Sequence, residues 1–266
     1  MDAYTGFAEI YDMCMDNIPY DDWAGEICRI LRVHGINDGL VCELGCGTGE
    51  ITERLLNSGY DMIGIDCSEE MLMEAREKQY ERTDETSPQI LYLLQDMREF
   101  ELYGTVRAFV SVCDSVNYLL TEDDLRKTFC LVNNYLDKDG IFVFDMKTAA
   151  CFAALGDETR VEQYRDATLI WENSYMKRKK RNVYRLTIFE KEYDDMFRKM
   201  SETHIQQTYS VDTVIRLLKE AGMQFIECFD ADSKGAVSAD TQRIVFIAKE
   251  GYQEGKCYTP SGEQSI

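Results

Sequence analysis

The sequence predicts an α/β fold built on a doubly wound, mostly parallel sheet of seven strands. Short runs rich in β-branched and aromatic residues alternate with segments of helical periodicity, which is the pattern of repeated strand–helix–strand units. The runs are continuously apolar, as is typical of strands that helices cover on both faces. The predicted strands lie at residues 39–44, 60–66, 90–95, 106–113, 140–146, 223–229 and 243–249.

Helices are predicted between these strands from the spacing of apolar residues. Leu125, Phe129 and Val132 follow one another at intervals of four and three residues, which places them on one helical face. A later helix begins after the potential N-cap Ser210 and ends at Gly222. Both helices therefore carry an apolar stripe that can cover a sheet.

The pattern changes in residues 148–209, where segments rich in Thr, Tyr, Ile and charge predict antiparallel strands. Those segments are 168–175, 183–193 and 200–209. No Pro-rich or Gly-rich linker sets them apart, so we interpret residues 148–209 as an insertion. The core is then predicted to consist of residues 38–147 and 210–249, followed by a polar tail at 250–266 that we expect to be loose.

Composition narrows the classes of function. The net charge of −20 opposes binding to a nucleic-acid backbone, and we interpret the basic run Lys177–Arg181 as the solvated tip of a hairpin. The ten cysteines show no C-x-x-C spacing, so we expect reduced thiols and no metal site. No apolar run reaches the about 18 residues of a membrane helix. With no secretory signal evident, we expect a cytoplasmic protein without membrane contact.

A glycine-rich segment follows the first predicted strand. Residues 43–49 read ELGCGTG and lead into a predicted helix. Glycines allow a tight turn and close approach of the backbone to a ligand, and a helix N-terminus favours a carboxylate or phosphate. The dinucleotide pattern G-x-G-x-x-G requires a glycine where this chain has Glu50, and Glu43 would repel a pyrophosphate. The segment therefore favours another kind of cofactor.

Acidic residues end the next two predicted strands. Asp66 can accept hydrogen bonds from both hydroxyls of a ribose, in a nicotinamide cofactor as in other nucleosides. Asp96 can accept from the exocyclic amine of adenine while Met97 packs on the ring. Each acid alone is equally consistent with a helix N-cap. With Glu43, however, three successive strands carry an acid at one sheet edge, which favours a nucleoside site.

These motifs resemble those of class I, Rossmann-like S-adenosylmethionine-dependent methyltransferases. The resemblance extends from Tyr4 to about Lys249 and is greatest to bacterial small-molecule enzymes, similar to glycine/sarcosine and amino-sugar N-methyltransferases. Three segments are similar to that group's N-terminal helical cap, its segment after strand four and its substrate lid, namely residues 1–37, 113–119 and 148–209.

The resemblance implies S-adenosylmethionine as the cofactor. It implies that the glycine loop and Glu43 hold the methionine part, Asp66 the ribose and Asp96 the adenine. Residues expected to contact the cofactor are Tyr11, Trp23, Glu43, Gly45, Cys46, Gly47, Gly49, Asp66, Cys67, Asp96, Met97 and Cys113. For Trp23, a role as an aromatic of the cap's own core is an equal alternative.

Acceptor-site candidates are fewer. His204 lies on the predicted lid and is one of two histidines in the chain, although a packed or exposed strand histidine is the alternative. Tyr118 and Tyr20 are further candidates. The segment after strand four lacks the D/N-P-P-Y/F pattern, the arrangement that grips a planar amide or an adenine amine. Its absence argues against methylation of DNA adenine or glutamine. No metal-ligand cluster of the catechol O-methyltransferase type is evident.

The function predicted is S-adenosylmethionine-dependent N- or O-methylation of a small-molecule acceptor by in-line methyl transfer. Such a reaction requires alignment and exclusion of water, so we assign no catalytic residue from the sequence. An RNA-directed methyltransferase is the main alternative. A non-catalytic S-adenosylmethionine-binding regulator and an NAD(P)-dependent oxidoreductase are further alternatives. We expect a monomer or homodimer.

Overall fold

A computed structural model describes residues 18–82, 88–193, 196–252 and 256. Within these ranges the chain forms a seven-stranded sheet, helices on both of its faces and a separate four-stranded antiparallel sheet. The predicted α/β class is therefore confirmed. Among the helices of the described ranges, none has the length and apolarity needed to cross a membrane.

The main sheet has the strand order β10-β11-β5-β4-β1-β2-β3. Its strands are β1 (Leu40–Leu44), β2 (Asp61–Asp66), β3 (Leu91–Leu94), β4 (Val106–Ser111), β5 (Leu136–Lys147), β10 (Gln224–Asp230) and β11 (Arg243–Lys249). Strand β11 runs antiparallel to both of its neighbours, and the other pairs are parallel. The strands β1 to β5 therefore end at one edge, while β11 begins at that edge.

Helices cover the sheet on both faces, because each strand directs alternate side chains to opposite sides. In β1, Cys42 and Leu44 pack in one core cluster and Val41 packs in the other. The first cluster includes residues of α4 (Glu122–Tyr135) and α6 (Val211–Glu220), and the second includes residues of α1 (Tyr20–Val33), α2 (Glu50–Asn57) and α3 (Glu69–Arg82). This double cover explains why the strands read as continuous apolar runs.

The insertion at residues 148–209, which we call the lid, contains one more strand than the sequence pattern indicated. After α5 (Ala149–Leu155) come four antiparallel strands: β6 (Thr159–Gln163), β7 (Ala167–Met176), β8 (Arg181–Tyr193) and β9 (Met196–Gln207). Three strands were predicted, and β6 was missed because its residues are exposed and lack an apolar face. The tip between β7 and β8 is a 3-10 turn at Lys177–Lys179 with no buried residue, as predicted.

Hydrogen bonds fix the lid to the core at the end of β9. The Asn117 amide donates to the carbonyls of Lys147 and Gln207, at 3.1 and 2.9 Å. Thr208 donates through its hydroxyl to the Lys147 carbonyl at 2.9 Å. Arg181, which the sequence assigned to the solvated tip, instead donates to the Leu120 carbonyl at 3.2 Å. The lid thus sits on the segment that follows β4.

Four charged side chains, Asp114, Asp145, Lys147 and Arg243, meet at the carboxyl edge of the sheet. We call them the buried charge cluster because each side chain is at most 23% exposed. Arg243 donates to Asp145 at 2.6 Å and to Asp114 at 2.9 Å, and Lys147 donates to Asp114 at 2.9 Å. Burial acts to raise the pKa of Asp114, but Lys147 and Arg243 outweigh it and lower that pKa. Two acids and two bases leave the cluster neutral.

The buried charge cluster also connects the N-terminal helix and the lid to the core. Gln206 of the lid donates to Asp114 at 2.6 Å. The Arg243 guanidinium lies 5.0 Å from the centre of the Trp23 ring on α1, a cation–π distance. Segments far apart in the sequence thus depend on one set of charges.

The polar tail is partly held. Gly251 donates its N–H to the Asn133 side chain at 2.9 Å, and Lys256 donates to the Asn133 carbonyl at 2.6 Å. Lys256 exposes 2% of its side chain and pairs with Glu250 at 3.0 Å. The expectation of a loose tail is therefore wrong for these residues, because a buried ion pair holds them.

We predict that Arg243→Met destabilises the protein by about 3–5 kcal/mol, since it leaves two buried carboxylates with one cation. Urea denaturation measures the loss. Arg216→Met is the matched control, because Arg216 pairs with Glu122 and Glu220 at the surface with 47% of its side chain exposed. That control should cost less than about 1 kcal/mol. Equal costs for the two variants would contradict a structural role for the cluster.

Candidate cofactor and acceptor site

The glycine loop between β1 and α2 is held against the end of β2. The N–H groups of Gly45 and Cys46 donate to the Ile65 carbonyl at 2.7 and 3.0 Å. The N–H of Gly47 donates to the Asp66 carboxylate at 2.8 Å. The loop and the acid that the sequence placed in one site are therefore in direct contact.

Each loop glycine has a left-handed backbone, with φ of 70°, 52° and 83° at Gly45, Gly47 and Gly49. Their surroundings differ. A Cβ at Gly45 would lie 2.6 Å from the Ser115 Cβ, and one at Gly49 would collide with the Tyr92 side chain. A Cβ at Gly47 would meet no protein atom within 4 Å. Gly47 therefore borders open space, whereas Gly49 is required for packing.

Asp66 is positioned to accept hydrogen bonds from a ligand as well as from the protein. One carboxylate oxygen accepts from Gly47 and the other accepts from the Ser68 N–H at 2.9 Å. Each oxygen keeps capacity for a second hydrogen bond. Burial raises the pKa of Asp66, and the backbone donors oppose that rise. This geometry suits a ligand in the cavity whose two adjacent hydroxyls donate to the two carboxylate oxygens of Asp66.

Glu43 is a buried acid whose pKa is raised. It is 3% exposed, and its carboxylate accepts from the Thr52 hydroxyl. Burial raises the pKa of Glu43 to about 8, and the Thr52 hydrogen bond opposes that rise. A cation bound nearby would favour the carboxylate form and lower this pKa.

Asp96 lies at the end of β3 and is paired within its own turn. Its carboxylate accepts from the Arg98 backbone N–H at 2.8 Å and from the Arg98 Nε at 2.9 Å. Burial acts to raise the pKa of Asp96, but the hydrogen bonds from Arg98 outweigh it and lower the pKa. Asp96 is thus an ionised acceptor at the cavity wall.

A cavity of about 720 Å³ joins these elements. Among the residues predicted to contact the cofactor, those that line it are Glu43, Gly45, Cys46, Gly47, Asp66, Cys67, Asp96, Met97 and Cys113. Trp23 and Gly49 lie elsewhere, because Trp23 packs on Arg243 and Gly49 on Tyr92. Tyr11 lies outside the described residues.

The three acceptor candidates line the same cavity, with Tyr20 on α1, Tyr118 on the 3-10 turn after β4 and His204 on β9. The Tyr118 hydroxyl is 3.2 Å from Nδ1 of His204. Nε2 of His204 is 3.1 Å from the Glu202 carboxylate. Imidazole and carboxylate are both buried.

Two features were not predicted from the sequence: the buried charge cluster and the contact of Glu202 with His204. The cluster pairs residues as much as 129 positions apart, which no local pattern reveals. A signal existed for Glu202, since Glu202, His204 and Gln206 alternate along one strand and therefore share a face. All three are buried, so the lid presents a polar face to the core.

Comparisons with known proteins agree with this geometry. A family model described as a methyltransferase domain matches residues 41–140. A putative methyltransferase of Bacillus subtilis (strain 168), YqeM, is 34% identical over 93% of this chain and 97% of its own length. The crystal structure of an S-adenosylmethionine-dependent methyltransferase from Clostridium acetobutylicum ATCC 824 has a TM-score of 0.81 at 25% identity, covering 94% of this chain and 99% of that one.

This chain belongs to the S-adenosylmethionine-dependent methyltransferases. The resemblance predicted from the sequence is confirmed. A further relative is the dTDP-3-amino-3,4,6-trideoxy-alpha-D-glucopyranose N,N-dimethyltransferase of Streptomyces venezuelae. It is 27% identical over 52% of this chain and 56% of its own length. Asp66 and Asp96 are suited to accept hydrogen bonds from the ribose and the adenine of S-adenosylmethionine. Glu43 and the open glycine loop are suited to its cationic end.

We predict that Gly47→Ala and Gly49→Ala separate cofactor binding from packing. Both substitutions place a side chain at positive φ, at a cost of about 1–2 kcal/mol. Gly49→Ala should cost about 1–3 kcal/mol more, because its Cβ collides with Tyr92. Gly47→Ala should weaken S-adenosylmethionine binding at least about tenfold while remaining the more stable variant. Denaturant unfolding and calorimetry measure the two effects, and equal stabilities would contradict the different surroundings of the two glycines.

We predict that cofactor binding is linked to protons through Glu43. Since burial raises the pKa of Glu43 to about 8, the free protein holds this proton at neutral pH. A cationic cofactor favours the carboxylate, so affinity should rise with pH below 8 and level off above it. Calorimetry in buffers of different ionisation enthalpy counts the released protons. Glu43→Gln is the control, because it keeps the cofactor's own titration. An identical pH dependence in both proteins would exclude Glu43 as the source.

Proposed function

We propose that this methyltransferase methylates the nitrogen of a small-molecule amine. The observation that carries the proposal is the cavity of about 720 Å³ that extends from the glycine loop to Tyr118 and His204 below the lid. Small-molecule sites have volumes of about 300–1,000 Å³. Donor and acceptor would have to share this volume, which favours a compact acceptor over a macromolecule.

The charge of the cavity wall favours a cationic acceptor. Seven acidic side chains and one guanidinium line the cavity, namely Glu43, Glu50, Asp66, Glu69, Glu70, Asp96, Asp124 and Arg98. Of the seven acids, Glu43 is the one that holds its proton at neutral pH in the free protein, because its pKa is raised to about 8. A cleft lined mainly by one sign of charge attracts ligands of the opposite sign. Amines are protonated near neutral pH, so an amine is drawn into such a cavity more strongly than a neutral alcohol. The partial similarity to an N,N-dimethyltransferase also supports nitrogen as the methylated atom.

When bound, S-adenosylmethionine supplies a methyl group on a positively charged sulfur, so the protein's task is to orient and enclose. We propose that the glycine loop with Glu43 holds the methionine end and that Asp66 accepts from the ribose hydroxyls. Asp96 and Met97 hold the adenine by the same proposal, and Cys113 forms the wall beside the reacting centre. The lid excludes water from that centre.

We predict that purified protein transfers label from S-adenosylmethionine to small primary or secondary amines. The assay uses pooled amines, pooled alcohols and bulk RNA in parallel. Replacing Lys177, Arg178 and Lys179 of the exposed tip with alanine should leave amine turnover within about twofold, because these side chains are exposed and outside the cavity. Turnover confined to RNA and lost in the tip variant would replace this proposal with an RNA-directed one.

A further inference from the structure

Three titratable side chains are in contact at and behind the part of the cavity wall that the turn after β4 and strand β9 form. The ring centres of Tyr118 and His204 are 6.1 Å apart, edge to face, with the hydroxyl 3.2 Å from Nδ1. Glu202 lies 3.1 Å from Nε2 on the other side of the imidazole and exposes 2% of its side chain. Tyr118 and His204 border the cavity, whereas Glu202 lies behind them. Nδ1 is thus hydrogen-bonded to Tyr118, whereas Nε2 is close to the Glu202 carboxylate without a hydrogen bond.

The position of Tyr118 is fixed from two sides. Three residues earlier, the Ser115 hydroxyl lies 3.1 Å from the Gly45 carbonyl of the glycine loop. One residue earlier, Asn117 bonds to the lid and to β5. The 3-10 turn Ser115–Tyr118 is therefore wedged between the cofactor loop and the lid. Its last side chain, that of Tyr118, borders the cavity.

An amine that arrives as an ammonium ion has no lone pair for methyl transfer. Some group must accept its proton, and proton transfer by a positioned side chain contributes about 10²–10⁴-fold to rate. By the same proposal Asp66 and Asp96 hold the cofactor, and Asp96 is also paired with Arg98. The Tyr118–His204 pair faces the remaining part of the cavity.

We propose that Tyr118, His204 and Glu202 form a proton relay that deprotonates the acceptor, an inference that rests on the proposed amine acceptor. The ammonium donates to the Tyr118 oxygen and its proton passes there as the hydroxyl proton moves to Nδ1 of His204. The products of this step are the neutral amine and an imidazolium that faces the Glu202 carboxylate. The amine lone pair then forms the new N–C bond as the C–S bond breaks. The imidazolium returns its proton to water after product release.

In this relay Tyr118 is the catalytic residue, His204 stores the proton and Glu202 is a positioning residue. The Glu202 carboxylate lies 3.1 Å from Nε2 without hydrogen-bond geometry, so it acts through its charge. That charge favours the tautomer with hydrogen on Nε2, in which Nδ1 accepts from Tyr118. Other titratable groups on the neighbouring elements are Tyr184 of β8, opposite His204 in the strand register, and Lys147 of β5, 5.7 Å from the Tyr184 ring.

The first test needs no acceptor. The chain has two histidines, so imidazole ¹⁵N labelling gives two sets of signals that His34→Gln assigns. In the complex with S-adenosylmethionine, neutral His204 should carry its proton on Nε2. Tyr118→Phe should shift the Nδ1 resonance to that of a nitrogen without a hydrogen bond. A proton on Nδ1, or a Nδ1 resonance unmoved by Tyr118→Phe, would overturn the relay.

The second test measures kcat/KM from pH 6.5 to 10 with the most active amine of the screen. At pH 7 we expect a loss of about 100-fold or more in Tyr118→Phe and His204→Asn, and a smaller loss in Glu202→Gln. The ratio of wild type to variant should fall about tenfold per pH unit, because the free amine needs no base. His34→Gln should stay within twofold of wild type. Thermal unfolding and S-adenosylmethionine affinity show that each variant is folded, with Tyr118→Phe as the least disruptive.

A deficit that is constant across the pH range would show a structural role and overturn the relay, as would losses below threefold. These results differ from failure of the proposed function, in which wild type itself methylates no amine. In that case the tautomer measurement alone decides whether the relay geometry exists.

Discussion

The carboxylate of Asp114 is the group on which the arrangement of the site depends. It accepts from Lys147, Arg243 and Gln206, so β5, β11 and the lid meet at one side chain. Cys113 and Asp114 both have a φ of 59°, a left-handed conformation that costs about 1–2 kcal/mol per residue for side chains other than glycine. The charge-assisted hydrogen bonds of Asp114 offset that cost. They thereby hold Cys113 in the cavity wall and start the turn that carries Tyr118.

Much of the core follows from short-range patterns. Strands covered on both faces read as apolar runs, and a helical face reads as a spacing of three and four residues, as in Leu125, Phe129 and Val132. The glycine loop and the acids after β2 and β3 were found because parallel strands end at one edge. The direction of the strands predicts that Glu43, Asp66 and Asp96 lie close together, and all three line one cavity.

The remaining features depend on contacts that no window of sequence contains. Trp23 was expected either to contact the cofactor or to pack in the cap's own core, and in the structure its ring lies against a guanidinium more than two hundred residues later. Gly49 belongs to the loop motif, yet it is required because a Cβ at this position would collide with the Tyr92 side chain. Strand β6 consists of exposed residues without alternation, so hydrogen bonding to β7 defines it and side-chain pattern does not.

The reversed direction of β11 has a consequence for the order in which the molecule is built. Because this strand runs against its neighbours, its first residue, Arg243, reaches the edge where the parallel strands end. The ribosome adds Arg243 129 residues after Asp114, at about 5–20 residues per second. From the addition of Lys147 until that of Arg243, the nascent chain holds Asp114 and Asp145 with Lys147 as their one cation from the cluster. The charge balance at this edge is therefore completed late in synthesis, although the glycine loop is made early.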